Sequence, residues 1–172
     1  DGDSPLAAKL ARDRGWALRQ ARRERATGTG LYRLGRLQES LEHSKRCLEM
    51  LGRPFPRGRA GFGVSFFLQA LVQGWHMIRY RGASQGLPPA DDRTAEAVRA
   101  YYCLLQVAFN RNDLSGYYYS NLCMLNQIEG TAPTRELAEG LAFMGFTTGL
   151  MHLWKMADAY FSRALDIAVL LD

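Results

Sequence analysis

The chain has 172 residues, 47% of them hydrophobic, with a formal net charge of +5 and three cysteines. That is about one domain, long enough to bury roughly two thirds of its unfolded surface. An odd, sparse cysteine set excludes a disulfide framework and points to a reducing compartment, so a cytoplasmic location is expected.

The charge is uneven. Residues 1–60 hold 14 Lys/Arg against 7 Asp/Glu, and the remainder 8 against 10. The chain begins with Asp1 and not Met, which suggests a piece of a larger protein or a processed product, and no leading stretch resembles a signal peptide.

Ser4 and Pro5 suit an N-cap and first helical position, and a helical reading follows to Leu34. Leu6, Leu10, Ala17 and Ala21 share one face; Arg12, Arg19, Arg22 and Arg23 lie elsewhere. Gly15 and the Gly28/Gly30 pair predict a kink or break, since each glycine costs about 1 kcal/mol in a helix relative to alanine. A second helix is expected from Leu37 to Leu51, ended by Pro54 and Pro56. Gly58, Gly61 and Gly63 read as a basic loop.

Phe62 to Tyr80 is the most apolar segment. Gln69, Gln73 and His76 in its middle argue against a membrane span and for a central buried helix. Arg81 to Pro89 reads as a loop. Asp91 or Asp92 then opens a helix to Arg111, with Tyr101, Leu104, Leu105 and Ala108 inward. After a turn at Asn112-Asp113, Leu114 to Ile128 forms another helix, and helices over 134–150 and 154–171 close the chain. No segment alternates with a period of two, so the fold is expected to be all-α.

Internal similarity organises these helices. Gly145, Ala157, Phe161, Ala164 and Leu165 near the end are matched by Gly28, Ser40, Ser44, Cys47 and Leu48 near the start, and a degraded copy turns at Asn112-Asp113. The turns at Gly35, Asn112 and His152 are 77 and 40 residues apart, so four helical hairpins or their remnants are predicted.

Chemistry-bearing patterns are sparse. His43 and Cys47 are four apart on one helix, but no second pair follows; a packing cysteine beside a surface histidine is the reading. His76 reads as a hydrogen-bonded core histidine and His152 as a solvated turn residue. No histidine stands beside Cys103 or Cys123 in sequence to serve as a base, and no phosphate loop or zinc motif is present. No cofactor or metal is expected. Tyr117, Tyr118 and Tyr119 must point three ways around a helix, so at least one should be exposed. The run Arg19, Arg22, Arg23, Arg25, Arg33 and Arg36 reads first as a solvated helix face and second as a docking surface for an acidic partner or domain. Without an interleaved aromatic platform it does not suggest nucleic acid.

The Gly145…Ala157…Phe161…Ala164-Leu165 spacing resembles a tetratricopeptide-type repeat, in which small residues sit where two antiparallel helices cross. Leu48-x-x-Leu51-Gly52-Arg53-Pro54-x-Pro56 and Tyr118-Tyr119-Ser120-Asn121-Leu122-Cys123-Met124-Leu125-Asn126, with Glu136-Leu137-Ala138 and Gly145, resemble a particular group. These are the helical-repeat regions of multidomain signalling proteins that join an adenylate/guanylate cyclase domain and a P-loop ATPase to such repeats. The resemblance covers roughly residues 20 to 170. It implies one irregular, right-handed superhelical domain of stacked hairpins over residues 1–172. It also implies a non-catalytic, regulatory role in protein–protein or interdomain contacts, with no membrane or nucleic acid involved.

The repeat's inner-face positions fall on Arg22, Arg25, Tyr32 and Arg33, on Arg99, Tyr102, Gln106, Phe109 and Asn110, and on Glu139, Ala142, Phe146 and Leu150. Only Asn110 comes near the carboxylate clamp of chaperone-binding repeats. The alternative is a sensor domain binding a small ligand near Trp75, His76 and Tyr102 and regulating an attached enzyme.

Overall fold

The computed structural model describes residues 5–79 and 87–172, with side chains from residue 13 onward. The proposed Ser4 cap, the side chains of Leu6 and Leu10 and most of the Arg81–Pro89 loop lie outside the described residues. Seven helices and no strand occur among those described: α1 (Pro5–Arg33), α2 (Leu37–Met50), α3 (Gly58–Arg79), α4 (Asp92–Asn110), α5 (Leu114–Ile128), α6 (Arg135–Leu150) and α7 (Trp154–Leu171). The fold is all-α, and the helix limits from Leu37 to Met50 and from Asp92 onward lie within a residue or so of those read from sequence.

Local chemistry sets the limits. The Asp91 carboxylate accepts from the Thr94 amide at 2.6 Å, Asp113 from the Gly116 amide at 2.9 Å and the Thr134 hydroxyl from the Leu137 amide at 3.1 Å. Each satisfies an amide that the first helical turn leaves unpaired. The chain does not break in α1: its helix runs through all three glycines. Gly28 has a packing reason to be there. A Cβ on it would lie 3.0 Å from Ser44 Oγ and 3.3 Å from the Ser40 carbonyl oxygen, so its lack of a side chain lets α1 and α2 approach closely.

Three antiparallel hairpins, α1/α2, α4/α5 and α6/α7, stack in order. α4 packs on both helices of the first hairpin and α6 on both helices of the second. The core lies between them, in Cys47, Leu48, Ala97, Ala100, Leu104, Met124, Leu125, Leu137 and Leu141. The fourth hairpin expected from the 77-residue interval is not formed among the described residues. Among the described residues the interval holds one helix, α3, between the first two hairpins, and α5 is the helix it packs along.

α3 overturns the central-helix expectation. Val64, Phe67, Leu68, Leu71, Val72, Trp75 and Ile78 are all exposed, Ile78 at 68%. Its inward stripe is instead Phe62, Ser65, Phe66, Gln69, Gln73 and His76, four of them polar. Ser65 bonds the Tyr119 hydroxyl at 2.8 Å, and Asn126 donates to the Gln69 side-chain oxygen at 2.7 Å. These hydrogen bonds fix the helix to α5 together with Phe62, Phe66 and Met77, which pack on the core. It also starts at Gly58, where a basic loop was expected. No helix among the described residues is long and apolar enough to cross a membrane.

The tyrosine triplet is covered too. Tyr117 and Tyr119 are 5% and 3% exposed and Tyr118 is half-buried. α5 is flanked by α3, α4 and α6, so directions that would face solvent on a surface helix meet a neighbour.

Ala157 is 3% exposed, at the approach of α7 to α6 beside Gly149. Ala157→Leu is expected to lose about 1–3 kcal/mol by overpacking. An unchanged urea midpoint would show that this crossing has spare room.

Candidate functional site: a groove across the leading helices

The leading helices of the three hairpins, α1, α4 and α6, share one side of the stack. Between them lies a groove of about 550 Å³ lined by Tyr32, Leu105, Gln106, Phe109, Asn110, Tyr117, Ala142, Phe143 and Phe146. Its floor is aromatic and apolar. Tyr117 lies 5.9 Å from Phe109 and 6.3 Å from Phe143 between ring centroids, the second pair edge-on, an arrangement favoured by the ring quadrupoles. Phe109 and Phe146 remain 61% and 50% exposed, so apolar surface is available to a ligand.

Polar groups stand at the end nearest α1. Asn110 donates to the Tyr32 hydroxyl at 3.1 Å and to the Gln106 carbonyl oxygen at 2.8 Å. The Tyr102 ring lies 6.3 Å from that of Phe143 at a tilt of 41°, and its hydroxyl is in the neighbourhood of Glu139 and Gln106. Burial, and then the Glu139 carboxylate, raise its hydroxyl above the usual tyrosine value; burial does the same for Tyr117. Both hydroxyls are neutral at physiological pH and serve as hydrogen-bonding groups.

Of the thirteen inner-face positions read from sequence, Tyr32, Gln106, Phe109, Asn110, Ala142 and Phe146 line the groove and Tyr102 adjoins it. Arg22, Arg25 and Arg99 instead converge on the buried Glu96 carboxylate. Arg25 Nε lies 2.6 Å from it, Arg99 Nη1 3.2 Å and Arg22 Nε 3.5 Å, while Arg22 Nη2 also reaches Asp92 at 2.8 Å. Arg99 adds a contact of 3.6 Å to Glu136. These guanidinium groups hold α1 to α4 and α4 to α6, which leaves them less free for an acidic partner than a bare basic helix would be. Arg33 is exposed at the end of α1.

Sequence reasoning did not place Leu105, Tyr117 and Phe143 in the groove. Leu105 was assigned inward, and it is buried, but its edge forms the groove floor. In the 40-residue register Phe146 matches Gln106, whereas Phe143 matches Cys103, which is buried, so the register carries no signal for Phe143.

The other candidates are structural. Cys47 and Cys123 are buried, and burial pushes both thiols up to about 12, so neither supplies a thiolate nucleophile near neutral pH. His43 Nδ1 meets Glu24 at 2.7 Å across the α1/α2 interface. His76 and Gln73 bond Glu129 at 3.1 and 2.9 Å, and Arg163 meets its other oxygen at 2.7 Å. Trp75, 62% exposed on the far side of α3, His76 on Glu129 and Tyr102 on α4 are not brought together, since α3 does not pack on α4. Among the described residues no cluster of three His, Cys, Asp or Glu side chains could hold a metal ion. Comparison with protein-family models, curated proteins and solved structures returns no match to this chain.

Proposed function

We propose that the protein is a non-catalytic helical-repeat scaffold, a tetratricopeptide-like right-handed stack with one irregular member, that captures a segment of another protein or of a neighbouring domain. The observation that carries this reading is the groove. It is built jointly by residues of all three leading helices, apolar at its floor and hydrogen-bonding at one end. A volume of about 550 Å³ accommodates one or two large side chains of a bound segment. Asn110, Gln106 and the Tyr32 hydroxyl are placed to meet its backbone or a polar flank.

The resemblance to repeat regions of nucleotide-cyclase and ATPase signalling proteins gives this scaffold a regulatory context in a larger cytoplasmic polypeptide. A cyclase or ATPase domain encoded in the same reading frame supports that context, and a reading frame limited to these residues defeats it.

The groove is tested by selection from a displayed random-peptide library against the 172-residue protein. Enriched peptides with a large apolar or aromatic anchor are expected, binding at micromolar Kd by fluorescence polarisation. Ala142→Arg, which fills the groove from its half-buried wall, is expected to weaken them at least about tenfold. Selected peptides indifferent to Ala142→Arg, or no enrichment, would remove the groove as the docking site.

A further inference from the structure

The three hairpin turns fix an exact register between the hairpins. Gly35, Asn112 and His152 all have positive φ, at 74°, 56° and 60°. Each amide bonds the carbonyl three residues back, and the next amide bonds the carbonyl five back. The pairs are Gly35–Tyr32 and Arg36–Leu31, Asn112–Phe109 and Asp113–Ala108, and His152–Gly149 and Leu153–Thr148, all between 2.9 and 3.1 Å. This is one helix-ending motif, which also ends α2 at Gly52; at these three turns it joins the two helices of a hairpin. Positions counted from these turns are therefore equivalent in space.

Thirteen residues after the turns stand Leu48, Leu125 and Leu165. The first two are fully buried and Leu165 is 65% exposed. Nine residues after them stand Ser44 and Asn121, both at 0%, and Phe161 at 41%. Sixteen after them stand Leu51 and Ile128, buried at 5% and 2%, and the exposed Ala168. The same seat is thus covered twice and open once.

What covers it is known in both closed cases: the leading helix of the following hairpin, α4 on the first and α6 on the second. Those helices share a pattern. Ala97, Ala100, Tyr101 and Leu104 of α4 match Leu137, Gly140, Leu141 and Met144 of α6, and all eight are buried. The second position is small because it rests on the seat; a Cβ on Gly140 would come within 2.8 Å of Leu125 Cδ2.

The opposite end of the stack is closed. In α1 the matching positions are Gln20, Arg23, Glu24 and Thr27, none of them apolar and none buried. A stack of this kind needs such a polar outer face at an end that meets water. The α6/α7 end shows Phe161, Leu165 and Val169 instead, the last 74% exposed.

We propose that the outer face of α6 and α7 is an interaction surface for one further amphipathic helix. This is the leading helix of another hairpin of the same kind, with the pattern apolar-x-x-small-apolar-x-x-apolar. It docks as α4 docks on α1/α2 and as α6 docks on α4/α5. A second copy stacked head to tail does not fit, because its α1 would bring Arg23 and Glu24 onto Leu165. This inference is independent of the groove, and its failure leaves the groove reading intact.

The test supplies such a helix. Repeating residues 133–172 once after Asp172 preserves the 40-residue spacing between the turns at Asn112 and His152. Leu165→Ala is expected to leave the melting midpoint of the 172-residue protein nearly unchanged. In the extended chain the same change is expected to lower it by about 5 °C or more, because the leucine is then a buried one. An equal effect of Leu165→Ala in both chains overturns the proposal. So does sedimentation of the 172-residue protein as a dimer that Leu165→Glu dissociates, since the occupant is then a second copy. If the extended chain is insoluble, a labelled peptide of residues 133–152 is titrated onto the 172-residue protein. Binding that Leu165→Glu abolishes supports the proposal, and absence of binding overturns it.

Discussion

Replacing Arg163 by methionine is expected to destabilise the protein by about 3–5 kcal/mol, because it leaves a buried carboxylate without its cation. Glu129 follows the last residue of α5 and its side chain is fully buried. Arg163 from α7 meets one oxygen at 2.7 Å, while Gln73 and His76 from α3 bond the other at 2.9 and 3.1 Å. Tyr160, whose hydroxyl burial pushes up to about 12, bonds Gln73. The node ties three helices together, and it anchors the second half of α3 as Ser65 and Gln69 anchor the first. Methionine keeps the apolar stem of Arg163 and removes only the charge, so the loss reports the ion pair. A fall of the melting midpoint on the order of 10 °C corresponds to that loss in a domain of this size. In the double variant Arg163→Met/Glu129→Gln the orphaned charge is gone, and much of the loss is expected to return. A single variant that melts within about 2 °C of the parent would show that water reaches Glu129 and that the node contributes little.

The same node shows why α3 was misread. Periodicity reports that a helix has an apolar stripe, and not which stripe faces the core. In α2, α4 and α5 the buried residues include Leu48, Leu104 and Leu125, which any hydropathy pattern assigns inward. In α3 the partner helix offers Tyr119, Asn126 and Glu129, so Ser65, Gln69, Gln73 and His76 face inward and the apolar stripe faces out. That choice depends on residues more than fifty positions away, which no local window contains.

Helix ends were legible for the opposite reason. Asp91, Asp113 and Thr134 act on amides three residues ahead, and turn glycines such as Gly35 act on their own backbone. The groove lies between these extremes. Tyr32, Gln106 and Asn110 followed from repeat register, whereas Tyr117 reaches it from α5, a trailing helix, through contacts the register does not encode.

Changing Arg25 to glutamate is expected to cost about 3–5 kcal/mol, although it lies on a helix whose sequence looks like a solvated basic face. Arg25 Nε is 2.6 Å from the Glu96 carboxylate, whose side chain is only 5% exposed, and Arg25 itself is 23% exposed. The substitution places one carboxylate against another in a site where little water can screen them, and Arg22 and Arg99 cannot both be redirected without giving up Asp92 and Glu136. Arg33→Glu, on the same helix but exposed, is the control and should change stability by less than about 1 kcal/mol. A triple reversal of Arg22, Arg25 and Arg33, the natural way to test a basic docking face, would therefore weaken the α1/α4 contact first and lose binding for that reason. Urea unfolding of the two single variants separates these cases. A large loss in Arg25→Glu with none in Arg33→Glu places the guanidinium groups in the fold. Equal small losses would return them to the surface as candidates for an acidic partner, with Arg25 then tested by the salt dependence of association.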